Sequence, residues 1–280
     1  MIRTYVDFAA RQWQPLLFGA LIIGLSGFGQ AYFISLFGGR FRETFTLTDG
    51  ELGTIYALAT LLAALTLPLL GPLIDRTTVR RYAWRVAIAL AGACLLVALS
   101  PTAFVLAAGF YALRLTGQGL MVHTAVTATA RALPADGGKA LGLVVLGSTV
   151  AQAVLPVLAV SIMERIGWRW TWGLSAGVVL FGAWVALAYL PREAVKRETT
   201  GHRMEGLARS RGLSIWRDPR LLVPLPALLA VSFILSGFLF HQARLVAEKG
   251  WSLAWLAGWF VAYAGAQALA NRFAERTEGT

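Results

Sequence analysis

Along eight stretches of the chain, near residues 16–38, 52–74, 83–100, 103–126, 140–163, 168–190, 221–243 and 251–270, apolar residues run on almost without interruption. Charge enters them only as Arg85 and Arg169 near two ends and as Arg114 well inside the fourth, and none contains Asp or Glu. The runs show neither the two-residue alternation of a half-buried strand nor a single helical stripe. About twenty residues at 1.5 Å rise cross ~30 Å of hydrocarbon, so each run is long enough to span a bilayer. Inside hydrocarbon no water can satisfy backbone amides, and long unalternating runs meet that demand as helices rather than barrel strands. The pattern therefore predicts an all-α membrane protein with eight spans.

Composition agrees: the chain is 57% hydrophobic and 14% charged, with mean hydropathy +0.64. The net charge of +11 would suit a nucleic-acid binder, but its distribution gives it another meaning. With the N-terminus inside, 18 of the 25 Lys and Arg fall in cytoplasmic segments and 6 in outer ones. Flanking cations orient helices in this way. The expected location is the cytoplasmic (inner) membrane, with both termini cytoplasmic, the lipid bilayer as partner and no nucleic acid. The first run exceeds twenty residues and lacks a small-residue cleavage site, so it reads as a retained span rather than a signal peptide. Cys94, the single cysteine, excludes an intrachain disulfide. Trp168, Trp170, Trp172 and Trp251 fall near the outer surface and Trp13 and Trp216 near the inner one, where aromatic belts form.

One polar stretch, 191–219, separates spans six and seven, while the other loops are short. It divides the chain into a six-helix bundle at 1–190, a cytoplasmic linker at 191–219 and two further spans within 220–280. The tetrapeptide LSGF occurs at 25–28 and again at 235–238, at matching places in spans one and seven. Repeated halves are common in transporters.

Two motifs carry chemistry. The loop after span two reads GPLIDRTTVRR, and its Gly71, Asp75, Arg76, Arg80 and Arg81 resemble the signature loop of the major facilitator superfamily, with Thr78 where that family carries a second glycine. Gly71 suits close helix packing, Asp75 can face the positive end of a helix, and the arginines reach headgroups or carbonyls. The resemblance implies a conformational latch against a helix of the second half. The fourth span reads YALRLTGQG, and the superfamily also places an arginine there, facing a central cavity. A charge at that depth costs roughly 2.5–3.5 kcal/mol, so Arg114 needs a compensating partner. On a regular helix Gln118 shares its stripe, Gln30 and Gln152 reach its depth, and His241 adds a polar group from span seven. These five residues are the substrate-binding candidates.

The resemblance implies a major-facilitator-type bundle: a complete six-helix N-terminal half with two helices of the second half. It also implies a secondary transporter working by alternating access, with a small-molecule substrate and a coupling ion such as a proton. Span five lacks the glycine-proline pattern of drug antiporters, and its continuation into GWRWTW is similar to the monocarboxylate-transporter-like branch. An organic anion would also give Arg114 its partner. The family has twelve spans and eight are present, so a chain truncated after the eighth is expected, the alternative function being a non-transporting remnant. With no carboxylate pair or metal-ligand cluster in the spans, neither an enzyme nor a cofactor is expected. The topology is open to a direct check. Single cysteines replacing Thr46 and Thr200 should react with an impermeant thiol reagent from opposite sides of the membrane, Thr46 from outside; labelling of both from one side contradicts the orientation.

Overall fold

The computed structural model describes residues 2–190 and 223–277, and all their regular elements are helices. The predicted linker at 191–219, with Trp216, lies outside the described residues. A short helix α1 (Ile2–Arg11) leads into a first span built from α2 (Trp13–Leu25), α3 (Ala31–Ile34) and α4 (Gly38–Phe45). Then follow α5 (Asp49–Leu70), α6 (Val79–Ala98), α7 (Ala103–Leu113) continuing into α8 (Val122–Ala132), α9 (Gly137–Ile166), α10 (Trp168–Ala188), α11 (Leu225–Glu248) and α12 (Leu253–Thr277). Five of these passages are long and apolar enough to cross a membrane, and a sixth is the first span taken as one broken unit, bent by 45°. The helices α11 and α12, of 24 and 25 residues, stand where the sequence places spans seven and eight. The bundle is thus the all-α membrane fold that the hydropathy pattern predicts.

Helix starts follow local chemistry. Thr48 opens α5 with a reciprocal capping box: the Glu51 N–H donates to Thr48 Oγ1 (3.2 Å) and the Thr48 N–H to Glu51 Oε2 (2.8 Å). Thr78 caps α6 by accepting from the Arg81 N–H (3.3 Å). Thr78 replaces the family's second glycine, and here it performs an N-cap's task.

With apolar lipid outside, the helices gain little from hydrophobic contrast and depend on close packing instead. Helix α2 lies against α8 and α9, α10 along α6, and α12 along α9. Glycines permit the tightest crossing: a Cβ on Gly147 of α9 would stand 2.1 Å from the Ala20 carbonyl oxygen of α2. An aromatic cluster fastens the far half of the first span. Phe33 and Phe37 pack on Trp172 (5.3 and 5.0 Å between centroids) and Phe41 on Trp168 (5.2 Å).

This cluster corrects the aromatic-belt reading. Trp172 is wholly buried and Trp168 nearly so, because residues four apart on α10 turn the same face inward. Trp170, Trp251 and Trp13 are the exposed ones. The two LSGF copies also differ in setting: Leu25 to Phe28 are buried where the first span breaks, whereas Leu235 and Phe238 are exposed on the unbroken α11. Gly147→Ala should lower the melting temperature of the purified protein, because the obstructing atom is backbone and cannot rotate away; overpacking of this kind costs about 1–3 kcal/mol. Gly173→Ala, where a Cβ meets nothing within 4 Å, is the matched control. Equal melting of both variants contradicts the packing account.

Candidate functional site

The first span breaks at Gln30, whose backbone is extended (φ −85°, ψ 152°) between the 3-10 turn Ser26–Gly29 and α3. In a continuous helix the Phe33 N–H would close on the Gly29 carbonyl. Here the Phe33 and Ile34 N–H groups both donate to the Gln30 carbonyl (3.2 and 3.1 Å). The Gly29 carbonyl is left open in the bilayer interior, where an unsatisfied group is costly.

Arg114 fills that vacancy. Its Nη1 donates to the Gly29 carbonyl (3.1 Å), its Nε donates to Thr60 Oγ1 on α5 (3.2 Å), and its guanidinium carbon stands 5.3 Å from the Tyr56 ring centroid. The side chain is only 6% exposed. Backbone contact makes this reach possible: a Cβ on Gly29 would lie 2.3 Å from the Leu113 carbonyl oxygen and 2.7 Å from Gly117 Cα. Spans one and four therefore cross main chain to main chain beside Arg114. A dipole, a hydroxyl and an aromatic face hold the cation, and no carboxylate pairs with it among the described residues. Its positive charge is solvated but not neutralised.

Between α7 and α8, Arg114–Met121 winds as a π-helix. Such stretches close i→i+5 rather than i→i+4 and favour functional sites. Gln118, four residues on, is exposed while Arg114 is buried. Gln30 sits at the break, partly buried, and Gln152 is partly buried on α9 beside Ala151, which packs at Gly27. His241 is exposed on α11, its Cε1 3.8 Å from where a Gly53 Cβ would be. Its neighbours make the contacts instead. Phe240 stacks on Tyr56 at 4.1 Å, and buried Gln242 donates through Nε2 to the Tyr32 carbonyl (3.1 Å) and Ser35 Oγ (2.9 Å).

Neither Tyr56, Thr60 nor Gln242 was among the residues singled out from the sequence. Tyr56 and Thr60 lie four apart in a regular helix, a spacing that puts both on one face and could have marked them. Gln242 carries no such signal.

Ionic contacts gather at both ends of the bundle. At one end Asp49 pairs with Arg42 of the first span and with Arg244 of α11, which also holds Glu248 (2.7 Å). At the other, Asp75 pairs with Arg131 at the close of α8. Gly71 and Arg76 bound a 3-10 turn, Tyr82 Oη donates to the Leu70 carbonyl (3.1 Å), and Arg80 Nη1 donates to the Leu187 carbonyl (3.2 Å). The Arg81 N–H bonds Thr78. Among the described residues, then, the signature loop binds spans three, four and six rather than a helix of the second half. The loop, the end of α5 and α8 flank an open groove of about 610 Å³, lined by Leu67, Gly71, Asp75 and His123 among others. No three metal-binding side chains converge among the described residues.

One sequence comparison takes in nearly the whole of this bundle. Residues 17–278 match the family model of the Major Facilitator Superfamily. The chain belongs to the major facilitator superfamily. No curated protein matches it. Superfamily members are membrane transporters with small-molecule substrates, so the chain is a multi-pass membrane protein of that class. Arg114 with the carbonyl it captures lies inside the bundle, and the Asp49 and Asp75 clusters lie at its opposite ends.

Proposed function

We propose that the protein is a secondary transporter of a small organic anion, a carboxylate above all, working by alternating access across the inner membrane with a coupling ion such as a proton. The observation that supports it best is the charge balance at Arg114. A buried guanidinium that meets a carbonyl, a hydroxyl and a ring keeps its net charge, and an anionic substrate would neutralise it. Removal from water strengthens such a pairing, and the planar fork suits a carboxylate. Gln30, Gln118 and Gln152 are read as neighbouring polar groups for the rest of the substrate. His241 is assigned to the approach from the Asp49 end.

In this reading residues 1–190 form one rocking half, 191–219 the cytoplasmic linker and 220–280 the opening of the second half. The excess of Lys and Arg favours a cytoplasmic Asp75 end, where Gly71, Asp75, Arg76, Arg80 and Arg81 are read as the latch, with Arg131 holding the carboxylate within the same half. The Asp49 end is the outer one.

Proteoliposomes containing the chain, tested with radiolabelled lactate, benzoate and succinate, examine the proposal. Uptake of at least one anion is expected. Arg114→Lys keeps the charge but loses the fork and should reduce uptake partially, while Arg114→Gln should nearly abolish it with equal protein in the membrane. Full uptake by the glutamine variant would remove Arg114 from substrate binding.

A further inference from the structure

The break in the first span has two holders, and they belong to different parts of the molecule. At its inner edge the Gly29 carbonyl is held by Arg114. At its outer edge the Tyr32 carbonyl and Ser35 hydroxyl are held by Gln242 of α11, and Ser35 Oγ itself donates to the Tyr32 carbonyl (3.2 Å). We propose that residues 30–37 form a two-state coupling element that transmits the condition of Arg114 to the contact between the first span and α11. The proposal rests on the transporter reading only where it takes an anion as what draws Arg114 away.

The two states follow from hydrogen-bond competition. In the observed state the Gly29 carbonyl accepts from Arg114, and the Phe33 N–H turns to Gln30. When Arg114 is drawn to an anion, or removed, the buried carbonyl loses its donor. Its nearest substitute donor is the Phe33 N–H, four residues on, which restores the regular i→i−4 bond. Closing the helix there moves the Gln30 backbone from extended to helical. The rotation carries the Tyr32 carbonyl away from Gln242, while Ser35 stays with the anchored half, so a local exchange of donors weakens the contact with α11.

The surrounding structure suits such an exchange. Gly29 and Gly117 offer no side chain to obstruct sliding where spans one and four cross. Beyond the break, Phe33, Phe37 and Phe41 anchor the segment to Trp172 and Trp168, so the movement is concentrated at residues 29–32. The remaining contacts with α11 lie close by: the Tyr56–Phe240 stack and the Asp49–Arg244 pair. Tyr56 also touches Arg114, which gives the site a second, aromatic connection to α11. A pathway of this kind is established only by measured coupling between its ends.

That coupling is measurable without any substrate. Cysteines replacing Gly53 and His241, which face each other across α5 and α11, report the contact through their rate of joining by a short thiol cross-linker in a Cys94→Ala background. Arg114→Gln and Gln242→Ala should each slow joining about tenfold, the size expected when a hydrogen bond worth near 1.4 kcal/mol is lost. The double variant should be no slower than either single one, because without Gln242 the segment has nothing to report to. Arg114→Lys, which still donates to the Gly29 carbonyl, should join near the wild-type rate even though its anion uptake falls. Thr60→Ala removes only the acceptor that aims Arg114 Nε. It should slow joining in the Gln242 chain and not in the Gln242→Ala chain, which decides the matter even if Arg114→Gln fails to fold. Multiplied slowing in the double variant, or a wild-type rate in Thr60→Ala, would overturn the proposal. Absence of anion uptake would leave it standing, because joining is measured with no anion present.

Discussion

A guanidinium held in hydrocarbon by a main-chain carbonyl is the constraint around which the rest is arranged. Arg114 lies eleven residues past the start of α7, about 16 Å along a helix and so near the middle of a ~30 Å core. There the cation cannot stand alone, and a free carbonyl cannot either. Each is the answer to the other. The first span breaks at Gln30 to expose the carbonyl, Gly29 and Gly117 bring the two main chains together, and Thr60 and Tyr56 complete the shell. A carboxylate at this place would have satisfied the charge outright. The arrangement instead keeps the cation folded into the protein with its charge still available.

The surrounding packing maintains that geometry. Close contacts between α2, α8 and α9 fix the inner part of the first span, and the aromatic cluster on α10 fixes its outer part. The break lies between two anchored halves and takes up the 45° bend. At the Asp75 end, the turn after α5 is tied to α6 and α8 and the start of α6 to α10, which makes the six-helix half a connected unit. At the Asp49 end, one carboxylate is shared between the first span and α11.

Much of this was legible in the sequence, for identifiable reasons. Hydrocarbon thickness sets a length and an apolar threshold that few other folds meet, so the helices could be placed within a few residues. Arg114 stood out because an intramembrane charge is costly and needs a partner. The break at Gln30 did not, since no proline marks it and its cause lies in span four. Helical arithmetic puts Gln118 on one stripe with Arg114, but it does not tell that Arg114 is buried and Gln118 exposed. Trp168 and Trp172 look like belt residues by position, yet the deciding fact is which neighbours α10 meets. His241 is exposed while Gln242 makes the contacts, since one residue along a helix is about 100° of rotation.

The central claim is that Arg114 retains a charge for an anion and holds the broken first span until one arrives. The most direct measurement is a structure of the protein soaked in 4-bromobenzoate, with the bromine located by its anomalous scattering. The account predicts a carboxylate against the Arg114 guanidinium and a Gly29 carbonyl accepting from Phe33 instead of Arg114. A bromobenzoate bound elsewhere, or one beside Arg114 with the Arg114–Gly29 hydrogen bond intact, would contradict it.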